Sequence, residues 1–271
     1  MGRKIRIGSR ASRLAVVQSE LVMAEIRKIL PEADLELVTM KTTGDKILHK
    51  TLDKIGGKGL FLKELDAALL AGQVDICVHS LKDVPVTENP ALPIGAYSVR
   101  ELPADVLVLP KGTSHWNPAL PVGCASARRK MQFQQLDSGE YGALILAEAG
   151  LKRLGLADRI AYRFSPEELV PAAGQGILAI QIRAGEYADL LARLNSPDGA
   201  LCAKTERQLA SLLGGDCSAP VGCHAQLHGT DMTLYGFSGI GGVPRYGSVQ
   251  GNRNDADLLV QQLASKLTIT E

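Results

Sequence analysis

The residues best placed for chemistry sit in one stretch, Val74-Asp-Ile-Cys-Val-His-Ser-Leu-Lys-Asp-Val-Pro-Val86. Val74, Ile76, Cys77 and Val78 make a short apolar run that suits a buried strand of a parallel sheet. His79, Ser80, Lys82 and Asp83 follow directly, and Pro85 ends the run. In open α/β sheets ligands bind beyond the carboxyl ends of the strands, so a Lys-Asp pair there is a candidate for charge stabilisation and proton transfer. The alternative is a turn with two solvated charges.

Other chemistry-bearing groups are spread along the chain. Arg10 and Ser12 lie where a first strand runs into a helix, and a helix N-terminus favours anions. Arg128, Arg129 and Lys130 follow Val122-Gly-Cys-Ala-Ser126-Ala at the start of a helical segment. Cations there oppose the helix dipole unless an anion is bound. Lys152 and Arg153 stand at the end of a short helix, where the dipole alone accounts for them. Lys58 lies among Gly56, Gly57 and Gly59, in a long loop that reads as a lid or a plain surface loop.

Cys217 sits in the turn Gly214-Gly-Asp-Cys-Ser-Ala-Pro220, where little bulk crowds the backbone. A thiol there can carry a covalent group, although neighbouring Asp216 disfavours a fast thiolate. Cys217, Cys223, His224 and His228 also raise a metal reading. They lack the tight Cys-x-x-Cys knuckle of structural zinc sites, and no metal is expected.

The elements that must position these groups follow from pattern. Strands are expected at 4–8, 35–40, 74–79, 106–109, 143–147 and 177–182. Helices are expected from Leu14, with Ser12 as N-cap, and over 60–70, 148–154 and 186–194. Asp198–Leu213 reads as an amphipathic helix with Asp198 as its N-cap. Strands near 223–229, 231–238 and 244–250 and a helix near 255–267 complete an α+β module. Alternation of strand and helix before residue 196 predicts mostly parallel sheets.

Whole-chain numbers bound the function. The 271 residues suit two or three domains, and 45% apolar content supports real cores. A net charge of +1 and 4% aromatics argue against nucleic-acid or membrane binding. Five scattered cysteines make a disulfide framework unlikely, and no segment suits a signal or a bilayer span. A cytoplasmic monomer is the expectation.

Read together, the motifs resemble the porphobilinogen deaminase (hydroxymethylbilane synthase) family. The matching stretches are Gly8-Ser-Arg10-Ala-Ser12-Arg-Leu-Ala15 with Gln18, Thr42-Thr-Gly-Asp45, Gly56-Gly-Lys-Gly-Leu-Phe61 and Asp75–Pro85. Asp137-Ser-Gly-Glu-Tyr141, Ala149–Gly155, Pro171-Ala-Ala-Gly-Gln-Gly176 and the Cys217 turn continue in family order. The resemblance implies an α/β fold of two periplasmic-binding-protein-like parallel-sheet domains around a cleft, plus a small α+β C-terminal domain. The boundaries it suggests are 1–95 with 176–196, then 96–175, then 197–271. It implies a transferase that condenses four porphobilinogen molecules, with loss of ammonia, into linear hydroxymethylbilane. The chain grows on a covalent dipyrromethane cofactor, in tetrapyrrole and haem biosynthesis.

By the same resemblance Cys217 bears the cofactor through a thioether and Asp83 is the catalytic carboxylate. Lys82, Ser126, Arg128 and Arg129 would hold the cofactor, and Arg10, Ser12, Gln18, Arg153 and Lys58 the substrate. The chemistry accounts for these types. Each porphobilinogen ring adds two carboxylates, which guanidinium groups grip in a bidentate way. Deamination leaves a cationic azafulvene, and a carboxylate beside the pyrrole N–H groups stabilises that charge.

The chain departs from the family after Phe133. Only Gln134 and Gln135 precede Leu136-Asp137, where the family continues through a strand and an Arg-Gly-Asn-x-x-Thr-Arg segment. About twenty residues, the length of a strand plus the start of a helix, are absent. Loss of an internal strand would expose a sheet edge or force re-pairing. The alternative function is therefore a weakly active or inactive two-lobed module that binds an anionic small molecule.

Overall fold

The computed structural model describes residues 4–42, 62–109, 115–123, 142–215 and 219–268. Lys58, Ser126, Arg128, Arg129 and Cys217 lie outside the described residues, as does nearly all of the expected lid. The described strands are β1 (Lys4–Arg10), β2 (Asp34–Met40), β3 (Ile76–Ser80), β4 (Ile94–Tyr97), β5 (Asp105–Val108) and β6 (Val122–Gly123). They continue as β7 (Ala143–Ala147), β8 (Ile160–Arg163), β9 (Leu178–Ile182), β10 (Val221–His228), β11 (Asp231–Ser238) and β12 (Arg245–Asn252). The helices are α1 (Arg13–Ile29), α2 (Lys63–Leu70), α3 (Glu148–Arg153), α4 (Ala188–Leu194), α5 (Pro197–Leu212) and α6 (Ala256–Leu267).

The chain divides into two compact units, one of residues 1–100 and 177–201, the other of 101–176 and 202–271. The first holds a five-stranded sheet in the order β2-β1-β3-β9-β4. β2, β1 and β3 pair in parallel, while β9 pairs antiparallel with both β3 and β4. Four strands therefore share one direction and β9 alone is reversed. Ile5 and Ile7 of β1 and Ile76 and Val78 of β3 point to one face, where Val22, Met23 and Ile26 of α1 cover them. That spacing on α1 is the apolar stripe of an amphipathic helix.

β1 and β3 can lie side by side because Gly8 pairs with Cys77. A Cβ on Gly8 would stand 2.7 Å from Cys77 Sγ. At the start of β3, the Asp75 carboxylate accepts from Arg6 Nε and the Arg6 backbone N–H at 3.0 and 2.9 Å, and from Arg183 Nη2 at 3.2 Å. Arg183 also donates to the Leu69 and Val74 carbonyls at 2.7 Å, joining the end of α2 to the sheet.

The second unit contains a four-stranded sheet, β6-β7-β5-β8, and a three-stranded antiparallel sheet, β10-β11-β12. β6 pairs parallel with β7, and β5 pairs antiparallel with β7 and β8. This sequence of pairings repeats β1-β3-β9-β4. Among the described residues, the position without a counterpart is that of β2, at the sheet edge. The shortening at Gln134 and Gln135 falls between β6 and β7, as β2 falls between β1 and β3. The stretch in which a strand is expected to be lost lies outside the described residues, among which β6, β7, β5 and β8 pair as one sheet. α6 covers the three-stranded sheet closely, since a Cβ on Gly236 would meet Leu267 Cδ1 at 2.4 Å.

Two local expectations change. The N-cap of α5 is Ser196, whose Oγ accepts from the Gly199 N–H at 3.1 Å, and not Asp198. Pro197 explains this, because proline is favoured at the first helical position and needs no partner for its nitrogen. His224 and His228 do share a face of β10, but four residues along a strand span roughly 13 Å, too far for one metal ion.

Burial and the two guanidinium groups set the Asp75 titration. Burial alone would raise its pKa, but hydrogen bonds and charge from Arg6 and Arg183 outweigh this and hold the carboxyl below the ordinary range. Its stabilisation is then present above the unfolded carboxylate value and is lost as pH falls through the lower folded value. Asp75→Asn is expected to cost about 2 kcal/mol at neutral pH, discounted for the partly exposed arginines. Denaturant unfolding followed against pH should show the gap to the parent closing below about pH 4.

Candidate active site

The register of β1 and β3 sets Ile7 beside Ile76, which brings Arg10 level with His79 at the carboxyl ends of both strands. β3 then runs into a single 3-10 turn, Leu81–Asp83, closed by the Val84 N–H donating to the Leu81 carbonyl at 3.0 Å. The Leu81 N–H donates to the Ile177 carbonyl at 3.0 Å, tying the turn to the chain entering β9. Pro85 has no N–H with which to extend the turn.

Arg10, Gln18, His79, Ser80 and Asp83 line one small open depression in the first unit. Gln18 is buried on α1, and its amide exchanges hydrogen bonds with the Ser80 hydroxyl: Nε2 to Oγ is 2.9 Å, and Oγ to Oε1 is 3.1 Å. Ser12 caps α1, its Oγ accepting from the Ala15 N–H at 3.4 Å. Lys82 and Asp83 are both half-buried in the turn. His79 is buried, and desolvation pushes its imidazole down to about 4, so the ring is neutral near pH 7. Cys77 is fully buried, and desolvation raises its thiol pKa, which makes it an inert core residue.

Arg153 belongs to the second unit, at the end of α3. Nη2 donates to the Gly176 carbonyl at 2.7 Å, the one hydrogen bond the side chain makes among the described residues. Burial lowers its pKa, with the Glu101 charge opposing the shift. A desolvated guanidinium with donors to spare is suited to a carboxylate. Lys152 beside it pairs instead with Glu101 at 2.8 Å.

Of the expected site residues, Arg10, Gln18 and Asp83 come together in the depression, and Ser12 starts the helix beside it. Sequence reasoning missed Gln181, which bonds to His79 from β9; no local pattern could have joined residues 102 positions apart.

The family model "Porphobilinogen deaminase, dipyromethane cofactor binding domain" matches residues 5–137 and 133–189, and the model of the C-terminal domain matches 200–268. The chain belongs to the porphobilinogen deaminase family. A porphobilinogen deaminase of Ruminiclostridium josui is 46% identical over 287 aligned residues, covering 98% of this chain and 98% of that protein. One from Chromobacterium violaceum is 43% identical, covering 97% of this chain and 94% of the relative. The aligned lengths exceed the 271 residues of the whole chain, so the relatives carry positions that it lacks. The first family match is broken at 133–137, where Gln134 and Gln135 stand.

Gln18→Leu keeps the volume and removes both bonds to Ser80. The lost alignment, about 1 kcal/mol, should lower turnover roughly fivefold. Steady-state rates with porphobilinogen check this, and an unchanged rate would show that the contact does not position the turn.

Proposed function

We propose that Asp83 is the carboxylate around which this deaminase works, and that Arg10 anchors a substrate carboxylate beside it. The observation that carries this reading is a depression, among the described residues, that offers a guanidinium and a carboxylate together at the ends of β1 and β3. The family reaction needs both. Porphobilinogen presents an acetate and a propionate to a guanidinium, and its pyrrole N–H to a carboxylate.

In each of four condensations the substrate loses ammonia from its aminomethyl carbon. A pyrrole chain held there would supply the free α-carbon to which that carbon bonds, with loss of the proton from that α-carbon. Positive charge develops on the substrate ring as ammonia leaves and passes to the accepting ring as the bond forms. Asp83, carried on the 3-10 turn whose backbone is tied to Ile177, meets both stages, an arrangement by which preorganised charge lowers a barrier. It also suits receipt of the proton. The Gln18–Ser80 pair keeps the turn in place while Arg10 binds.

The family's dipyrromethane cofactor supplies the pyrrole chain on which elongation starts. The polar groups of the depression fit such a ring, an N–H donor with carboxylate arms. Cys217 is assigned as its thioether attachment, with Lys82, Ser126, Arg128 and Arg129 on its carboxylates. Arg153, Ser12 and Lys58 are assigned to substrate. Three domains, 1–95 with 176–196, 96–175 and 197–271, fit the three separate sheets. A cytoplasmic monomer without nucleic-acid partners is consistent with a net charge of +1. No described helix is long and apolar enough to cross a membrane.

Asp83→Ala should lower turnover by at least about a hundredfold, the usual scale for removing one preorganised charge partner. Asp83→Glu should retain part of it. Ammonia release and tetrapyrrole absorbance report both, and an Asp83→Ala rate near the parent's would remove Asp83 from the mechanism.

A further inference from the structure

Beneath the depression lies a polar row that the reaction as described does not use. His79 and Gln181 are 6% and 5% exposed. Gln181 Nε2 donates to the Leu92 carbonyl at 3.0 Å, so the other end of the amide, Oε1, is the end that meets His79 Nε2 at 2.9 Å. An amide oxygen only accepts, so the His79 proton resides on Nε2 and Nδ1 carries the lone pair.

We propose that Gln181 is a positioning residue for this site: it locks His79 into the Nε2–H tautomer, so that an uncharged ring lines the depression shared with Arg10 and Asp83. The charged groups that share the depression with that ring are Arg10 from β1 and Asp83 from the turn after β3, and Asp66 of α2 lies beside Gln181. Gln18 and Gln181 present no charge from α1 and β9. Burial, helped by the Arg10 charge, keeps the imidazole deprotonated well below neutral pH. A protonated ring would place a second cation next to Asp83 and draw its carboxylate away from the pyrrole N–H. The inference rests on the reading of Asp83 as the substrate-facing carboxylate.

Nitrogen-15 NMR of the intact holoenzyme tests it, with the His79 signals identified by their loss in His79→Gln. The Nε2–H tautomer with no titration between about pH 5 and pH 8 is expected. The Nδ1–H tautomer, or titration near the ordinary histidine value, would overturn the proposal whatever the mutants do. Gln181→Glu keeps the acceptor and adds a negative charge, which raises the His79 pKa. Its kcat/KM should then fall at least about fivefold relative to the parent between pH 8 and pH 6, as His79 gains its proton. If the variant's His79 is seen to titrate and its pH profile still matches the parent's, the neutral ring has no role. Asp83→Ala with undiminished turnover would instead sink the catalytic reading while the tautomer stood.

Discussion

β3 is held at both ends, and the geometry of the candidate site depends on that. At its start, Asp75 bridges Arg6 and Arg183 and so ties β3 to β1 and to the chain after β9. At its finish, the Leu81 N–H bonds to Ile177 and Ser80 bonds to Gln18. Between these points Gly8 allows β1 to approach Cys77. A strand fixed in this way presents its last residues and the following turn with little freedom, and the cost of ordering the turn is met during folding instead of during catalysis. The arrangement separates stabilising from reactive charge. The ion pairs lie at the amino end of β3, and the depression with Arg10 and Asp83 lies at the carboxyl end.

The second unit repeats the pairing scheme of the first. In each sheet one strand is reversed, β9 in the first and β5 in the second, and each follows a passage of the chain from the other unit. Among the described residues β6, β7, β5 and β8 form a continuous ladder.

Much of this was legible in the sequence because local pattern and tertiary role agree. Ile5, Ile7, Val22 and Ile26 announce β1 and α1 by period, and the same side chains build the core. The turn at Leu81–Asp83 was marked by Pro85. β4 and β8 were not legible: Ile94–Tyr97 and Ile160–Arg163 are four residues each, too short for a period, and they are strands because β9 and β5 offer partners. Asp198 was a plausible cap until Pro197 is recognised as already inside the helix. The Gln181–His79 contact depends on the reversal of β9, which no local signal encodes. The depression was legible only in part, because Asp83 and Arg10 are brought together by the β1–β3 register and not by nearness in the chain.

We infer that this shortened chain still assembles its own covalent primer on Cys217 and extends it. Intact-mass measurement of the purified protein tests that most directly. A mass increased by one dipyrromethane is expected, absent in Cys217→Ser, with further increments when porphobilinogen is added. Folded protein of unmodified mass after incubation with porphobilinogen would contradict it.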